Sequence, residues 1–244
     1  MANRTRKRLT KSELKKDPIY DNLETGLMFI KARYKELLGG LMAIIIAIVV
    51  INAVTTSSRR AEESAMAGFI TATALYDQGL SLAAGGDFQS AFQTLEACNA
   101  IAMETWNTHP QRSWGRRAAV VASKVLILQG QNDQAISLLG EVLATNPRKD
   151  VQIACYIHMA TVLENRGSEQ DLINAEASYK RLLEITDGND DFTPVAAEAM
   201  IGLSRVAMRR GDTGGAGEWL SASLELVPDT TAFVSFQLAR LSQQ

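Results

Sequence analysis

The sequence predicts an all-α chain in which one membrane-crossing helix is followed by an array of antiparallel helix pairs. Three observations predict it. Of 244 residues, 46% are hydrophobic and only 6% aromatic, an Ala- and Leu-rich composition without the β-branched and aromatic runs that strands favour. Residues 37–54 form a single uncharged apolar run. Beyond it, four glycines recur with the same companions at the same offsets, the mark of a repeated helical unit.

In chain order, residues 1–36 form a basic leader with ten Lys or Arg against five Asp or Glu, a net of +5. The remainder carries fifteen against twenty-two, a net of −7, so the overall −2 hides two unlike halves. Nothing in the large acidic part advertises nucleic-acid binding, and its expected partners are other proteins. Within the leader, Thr10-Lys11-Ser12-Glu13 fits a capping box, Asp17-Pro18 would stop the short helix it opens, and Pro18 can start the next one. In that juxtamembrane helix Ile19, Leu23, Leu27, Ile30, Tyr34 and Leu37 recur at spacings of three and four, flanked by Lys31, Arg33 and Lys35. The stripe suits a surface helix on anionic lipid, a docking face for a partner's cytoplasmic loop, or a plain extension of the membrane helix.

The run LLGGLMAIIIAIVVINAV at 37–54 has no charge and a single amide, Asn52. As a helix it is about 27 Å long, enough to cross a hydrocarbon core. A buried helix of a small soluble protein would show polar residues at regular spacing, and a leading segment of thirty-six residues is far too long for a cleaved signal peptide. The expectation is an uncleaved single-pass anchor in the lipid bilayer. Basic residues crowd the side before it, whereas Arg59 and Arg60 on the far side are followed by Glu62 and Glu63. The positive-inside bias places the N-terminus in the cytoplasm. Residues 55–69 are then a helical connector, and 70–244 lie outside the cytoplasm, in the periplasm if the cell is a diderm bacterium and the membrane its inner one.

Gly86, Gly130, Gly167 and Gly211 each close a helical segment, and seven positions before each stands a small residue: Gly79, Ser123, Ala160 and Ser204. Five positions after three of them comes Ala91, Ala135 or Ala216, followed four later by Leu95, Leu139 or Leu220. The third copy delays this pair to Ala175 and Tyr179, a three-residue insertion. Pro147 and Pro228 close two copies, where each would end a second helix. Two antiparallel helices approach closely only where a side chain is small, and the turn between them needs a residue that tolerates positive φ. This layout resembles the tetratricopeptide repeat over residues 70–230. The resemblance implies an α-solenoid of about four helix pairs, with residues 231–241, carrying Phe233, Phe236 and Leu238, as a C-terminal capping helix. Spacings of 44, 37 and 44 between the glycines, against about 34 in the family, predict long loops at 104–115 and 187–194. Leu75, Ala119, Tyr156 and Met200 stand where the family carries aromatic residues early in each first helix.

Chemistry-bearing residues are few. Cys98 and Cys155 are too few for a zinc site or a disulfide framework and read as small buried side chains. His109 and His158 are the only histidines, and no nucleophile or metal-ligand spacing accompanies either. Asn189-Asp190-Asp191 lacks the spaced ligands of a calcium loop and reads as a solvated turn. The run Gly214-Gly215-Ala216-Gly217 is where a turn meets a helix, not a phosphate-cradling loop. No catalytic, cofactor or metal residues are expected, and no small-molecule substrate. The unusual stretch is 106–114, where Trp106, Arg112 and Trp114 suit either a partner contact or a fold-back of the indoles over the groove between the first two repeats. Asp77, Lys124, His158 and Arg205 are expected to be exposed along the groove of the first helices, mixing both signs without a carboxylate clamp.

A basic leader, one span and an outer repeat domain together resemble the ancillary subunit of the bacterial SecYEG translocon, with RLTKSELKKD (residues 8–17) the most sequence-like part. That family implies binding to the translocon and to periplasmic chaperones, an accessory scaffold at a translocation machine. The alternatives are a permanent structural subunit of a large membrane complex, respiratory, photosynthetic or secretory, and, for want of a site, last an enzyme.

Overall fold

The structure is a computed structural model that describes residues 18–227, with side chains from Leu23 onward. Two units divide the chain, Met1–Arg59 and Arg60–Gln244. Helix α1 (Pro18–Ala84) supplies residues to both. In the first unit it opens on Pro18, whose fixed φ and missing N–H suit a first helical position. Its helical dihedrals are interrupted at Arg33, with φ −118° and ψ 20°. Side chains from Leu23 to Val54 are all exposed, and α1 is long and apolar enough to cross a membrane.

The second unit packs the part of α1 from Arg60 onward with α2 (Phe88–Thr108), α3 (Ser113–Leu128), α4 (Asn132–Ala144), α5 (Lys149–Arg166), α6 (Glu169–Thr186), α7 (Thr193–Arg209) and α8 (Thr213–Leu226). No strand occurs among the described residues. Successive helices pair, and the first helices of the pairs also touch each other, α3 with α5 and α5 with α7. All four turn glycines adopt positive φ, between 72° at Gly167 and 85° at Gly86. Three turns are alike. The N–H of Asp87, Gln131 and Asp212 each bonds a carbonyl five residues back, on Leu82, Leu126 and Ala207, at 3.0, 2.8 and 2.9 Å. That bond satisfies one of the orphan carbonyls at a helix end. Gly167 makes only the shorter αL closure, its N–H to the Leu163 carbonyl at 3.2 Å. It precedes the delayed Ala175, because α6 starts at once on Ser168, whose hydroxyl accepts from the Asp171 N–H, and the insertion becomes an extra helical turn.

The small residues ahead of the turns are where the helices touch. Ser123, Ala160 and Ser204 are fully buried, and a Cβ on Gly79 would lie 2.8 Å from the Leu95 side chain. Their partners Leu139, Leu220 and Tyr179 are 0%, 1% and 3% exposed. The core divides into two clusters, one centred on α3 and one on α6 and α7. Cys98 and Cys155 are buried and free, the Cys98 thiol donating to the Ala72 carbonyl.

Of the two expected long loops, the first shrinks and the second remains as a six-residue link at 187–192. Helix α2 runs 21 residues to Thr108 and α3 begins at Ser113, so the link at 104–115 shrinks to residues 109–112. Pro110 stops the helix, and Gly115 lets α3 approach so closely that a Cβ there would lie 2.1 Å from the His109 carbonyl oxygen. At 187–194 the 18-residue α6 ends at Thr186, and a 3-10 turn at Asp190–Phe192 leads directly into α7. Extra spacing between Gly86 and Gly130 is therefore taken up mostly as helix. The capping box at residues 10–13, Pro228 and the expected capping helix at 231–241 lie outside the described residues.

Candidate functional site

The first helices build a common face because their pairing surfaces are consumed by the second helices. Between α1, α3 and α5 this face holds a cavity of about 240 Å³. Its floor is apolar, from Phe69, Val120, Val121, Val151 and Ala154, and Arg117, Lys124 and Asp150 stand around it. Helical spacing extends the same face outward. Leu80 lies four residues after Tyr76 and Leu128 four after Lys124, and the Lys124 ammonium sits 5.6 Å from the Tyr76 ring centroid. Leu80 and Leu128 thus follow one turn beyond that contact on adjacent helices, 39% and 53% exposed.

At the opposite end of the cavity the rings of Phe69 and Trp114 meet at 5.2 Å, tilted by 35°. The Arg117 guanidinium lies 5.2 Å above Trp114 and pairs with the Asp150 carboxylate. Sequence reasoning grouped Trp114 with Trp106 and Arg112, and the structure distributes them. Trp106 stands in the last turn of α2, 6% exposed, as part of the α3-centred core. Arg112 caps α3 and faces Glu62 at 4.0 Å, half-buried like Trp114. Arg117 therefore lines the cavity, Trp114 borders it through Phe69 and Arg117, and Trp106 packs in the core.

Along the same face Asp77 is exposed, as expected, but Lys124 and His158 are half-buried. Burial, then the nearby Lys124 charge, pushes the His158 imidazole down to about 4, so it is neutral near pH 7. Arg205 departs furthest from the exposed groove position expected of it. Its guanidinium grips the Glu164 carboxylate with two bonds of 2.8 Å and donates to the Tyr179 hydroxyl at 3.1 Å. Tyr179 donates to the same carboxylate at 2.9 Å, and Arg209 to the Glu164 carbonyl. Burial alone would raise the Glu164 carboxyl, yet Arg205 and its neighbours hold it below the usual carboxylate range. Burial, then the Glu164 charge, pushes the Tyr179 phenol up to about 12. Sequence reasoning missed this network. Its signal was a tyrosine in the slot that leucine fills in the other copies, since a buried phenol needs a polar partner.

Chemically the face offers apolar area rimmed by paired charges. Asn189 works as a cap, its side chain accepting from the Asp191 N–H. Among the described residues no group of three His, Cys, Asp or Glu is placed to hold a metal.

Against known proteins, a tetratricopeptide repeat family model matches residues 170–229, from the first turn of α6 through α8. That repeat is in general a protein-binding fold rather than a catalytic one. Among solved structures, a thermophilic tetratricopeptide-repeat protein of Thermus thermophilus aligns at 17% identity over 71% of this chain and 100% of that one, with a TM-score of 0.39. No curated protein matches the chain.

Proposed function

We propose that this chain is a single-pass membrane-anchored interaction scaffold that receives another protein on the face of α1, α3 and α5. The carrying observation is the apolar cavity of about 240 Å³ continued by Leu80 and Leu128, exposed apolar surface in a row with a ready-made recess. Such area gains most by being covered. Trp114 and Arg112 border the same face, residue types that often anchor interfaces, and Trp106 holds their helix in place from the core. The span at 37–54 and the basic excess before it support an inner-membrane anchor with the repeats in the periplasm. The layout's resemblance to the ancillary translocon subunit supports an accessory role in protein translocation or beside periplasmic chaperones.

The test is affinity capture from detergent-solubilised membranes with the full chain, the double variant Leu80→Gln with Leu128→Gln, the double variant Arg112→Ala with Trp114→Ala, and residues 1–59 alone. Both double variants should keep their helicity and lose partner recovery by about tenfold, the effect of losing roughly 1.4 kcal/mol of contact. Equal recovery by residues 1–59 would instead mark a structural subunit held through its span.

A further inference from the structure

We infer that residues 18–33 lie along the membrane surface on the basic side of the span, with their apolar stripe in the acyl boundary and Lys31 and Arg33 on the phosphates of anionic lipids. The inference rests on the anchor reading above and goes beyond it. Exposed apolar residues extend from Leu23 to Val54, well past the uncharged run at 37–54. As one straight helix those residues would measure about 48 Å against a hydrocarbon core of about 30 Å. Fitting them inside would take a tilt of about 50°, beyond the range that spanning helices adopt, and would draw Lys31, Arg33, Lys35 and Glu36 toward the lipid interior.

The backbone offers a turning point at Arg33, where the helical dihedrals break. From that break to Val54 the helix is about 31 Å long, close to the core thickness, with Lys35 and Glu36 in its first turn at headgroup level. On the other side of it, at 100° per residue, Leu23, Leu27 and Ile30 fall within about 40° of one line. Lys31 and Arg33 fall about 80° to either side of that line, and Thr25 and Ala32 fall opposite it. Cations bordering an apolar stripe on both sides suit a helix lying in an interface, since each can reach outward to a phosphate while its stem covers the stripe's edge. Phe29 lies off the stripe, 55% exposed, with the Arg33 guanidinium 5.6 Å from its ring centroid. Over residues 18–36 the carboxylates Asp21, Glu24 and Glu36 equal Lys31, Arg33 and Lys35 in number, so the attraction rests on where the cations stand, gathered next to the span, with Asp21 and Glu24 about two turns earlier in the helix. Arg33 meets Glu36 only at 3.8 Å with both side chains more than 60% exposed, a weak pairing that a phosphate displaces.

The test reconstitutes the full chain in vesicles of phosphatidylcholine with phosphatidylglycerol, carrying one spin label at Thr25, Leu27, Ile30, Ala32 or Ile46 in turn. Relaxation by oxygen against a water-soluble nickel complex reads each label's depth. Leu27 and Ile30 should read as lipid-buried, Thr25 and Ala32 as water-exposed, and Ile46 as deepest. Lys31→Gln with Arg33→Gln, or vesicles without phosphatidylglycerol, should shift Leu27 and Ile30 toward water. Uniform water exposure at 25–32 with Ile46 still buried would overturn the surface helix and leave the anchor standing. Water exposure at Ile46 would overturn both. A depth alternation seen in native membranes and absent from lipid vesicles would assign the stripe to a protein partner and overturn the inference.

Discussion

Glu164 keeps its charge although the residue is only 5% exposed, because two guanidinium bonds, a phenol and a neighbouring arginine replace the water it loses. Glu164→Gln leaves Arg205 half-buried without its counter-charge, and should destabilise the full chain in detergent by about 2 kcal/mol in urea unfolding, below the 3–5 typical of fully buried pairs because Arg205 keeps some solvent. The pH dependence separates this site from His158. The Glu164 carboxyl sits below its unfolded value of 4.5, so its contribution is present above that pH and fades as pH falls through the lower folded value. His158 sits at about 4 against 6.5 unfolded, so its penalty for charging grows as pH falls from 6.5 toward 4. His158→Gln should flatten the loss of stability between those two pH values, by about 2 kcal/mol after allowing for residual solvent contact, and leave the fall below 4.5 to Glu164. Unfolding midpoints at several pH values check both. Half of this network was legible in the sequence. Tyr179 in a leucine slot asked for a polar partner, but nothing along the chain told that Arg205 on α7 would turn away from the groove to supply it with Glu164 from α5.

Helix turns were the most legible element because each is governed by local chemistry. A residue at φ near +80° must be glycine or pay a steric penalty, and small side chains seven positions earlier mark where the paired helix crosses. Gly130 and Gly140 separate the two reasons for keeping a glycine. Neither has an atom within 4 Å of where a Cβ would stand, but Gly130 is at φ +74° and Gly140 is an ordinary helical position in α4. Gly130→Ala should destabilise by about 1 kcal/mol, while Gly140→Ala should stabilise by about 0.5–1 kcal/mol, both read from urea unfolding. Gly202 adds a third case, since its Cβ would meet the Tyr179 ring at 2.4 Å and alanine there should cost about 1–3 kcal/mol through overpacking. The lengths of the elements were less legible. Wide glycine spacing read as loops at 104–115 and 187–194, whereas the Ala-rich sequence of α2 continues its helix until Pro110 and buries Trp106 in its last turn. Spacing between turns constrains how many residues intervene, and the burial available to them, which depends on neighbouring pairs, decides whether they coil.

For the whole molecule the decisive quantity is the charge asymmetry across the apolar run, +5 before it and −7 after. If the positive-inside bias governs insertion, position 25 stands on the cytoplasmic side of the membrane and position 57 on the outer side. The chain carries its own low background for the measurement. Burial drives the Cys98 thiol up to about 11 and the Cys155 thiol up to about 12, so neither forms the thiolate that reacts with maleimide at neutral pH while the repeats stay folded. Thr25→Cys and Ser57→Cys, expressed singly in the full chain, both place a thiol on an exposed helical position of α1. In cells with a permeabilised outer membrane and an intact inner one, a membrane-impermeant maleimide should label the Ser57→Cys variant within minutes and the Thr25→Cys variant only after detergent is added. The reverse pattern would put the proposed docking face of α1, α3 and α5 in the cytoplasm, and a partner would have to be sought there. Labelling of both before detergent would mean that residues 37–54 do not cross at all. Labelling of neither before detergent would mean that position 57 is covered or lies inside, and a permeant maleimide on intact cells separates the two, since it labels an uncovered thiol on either side.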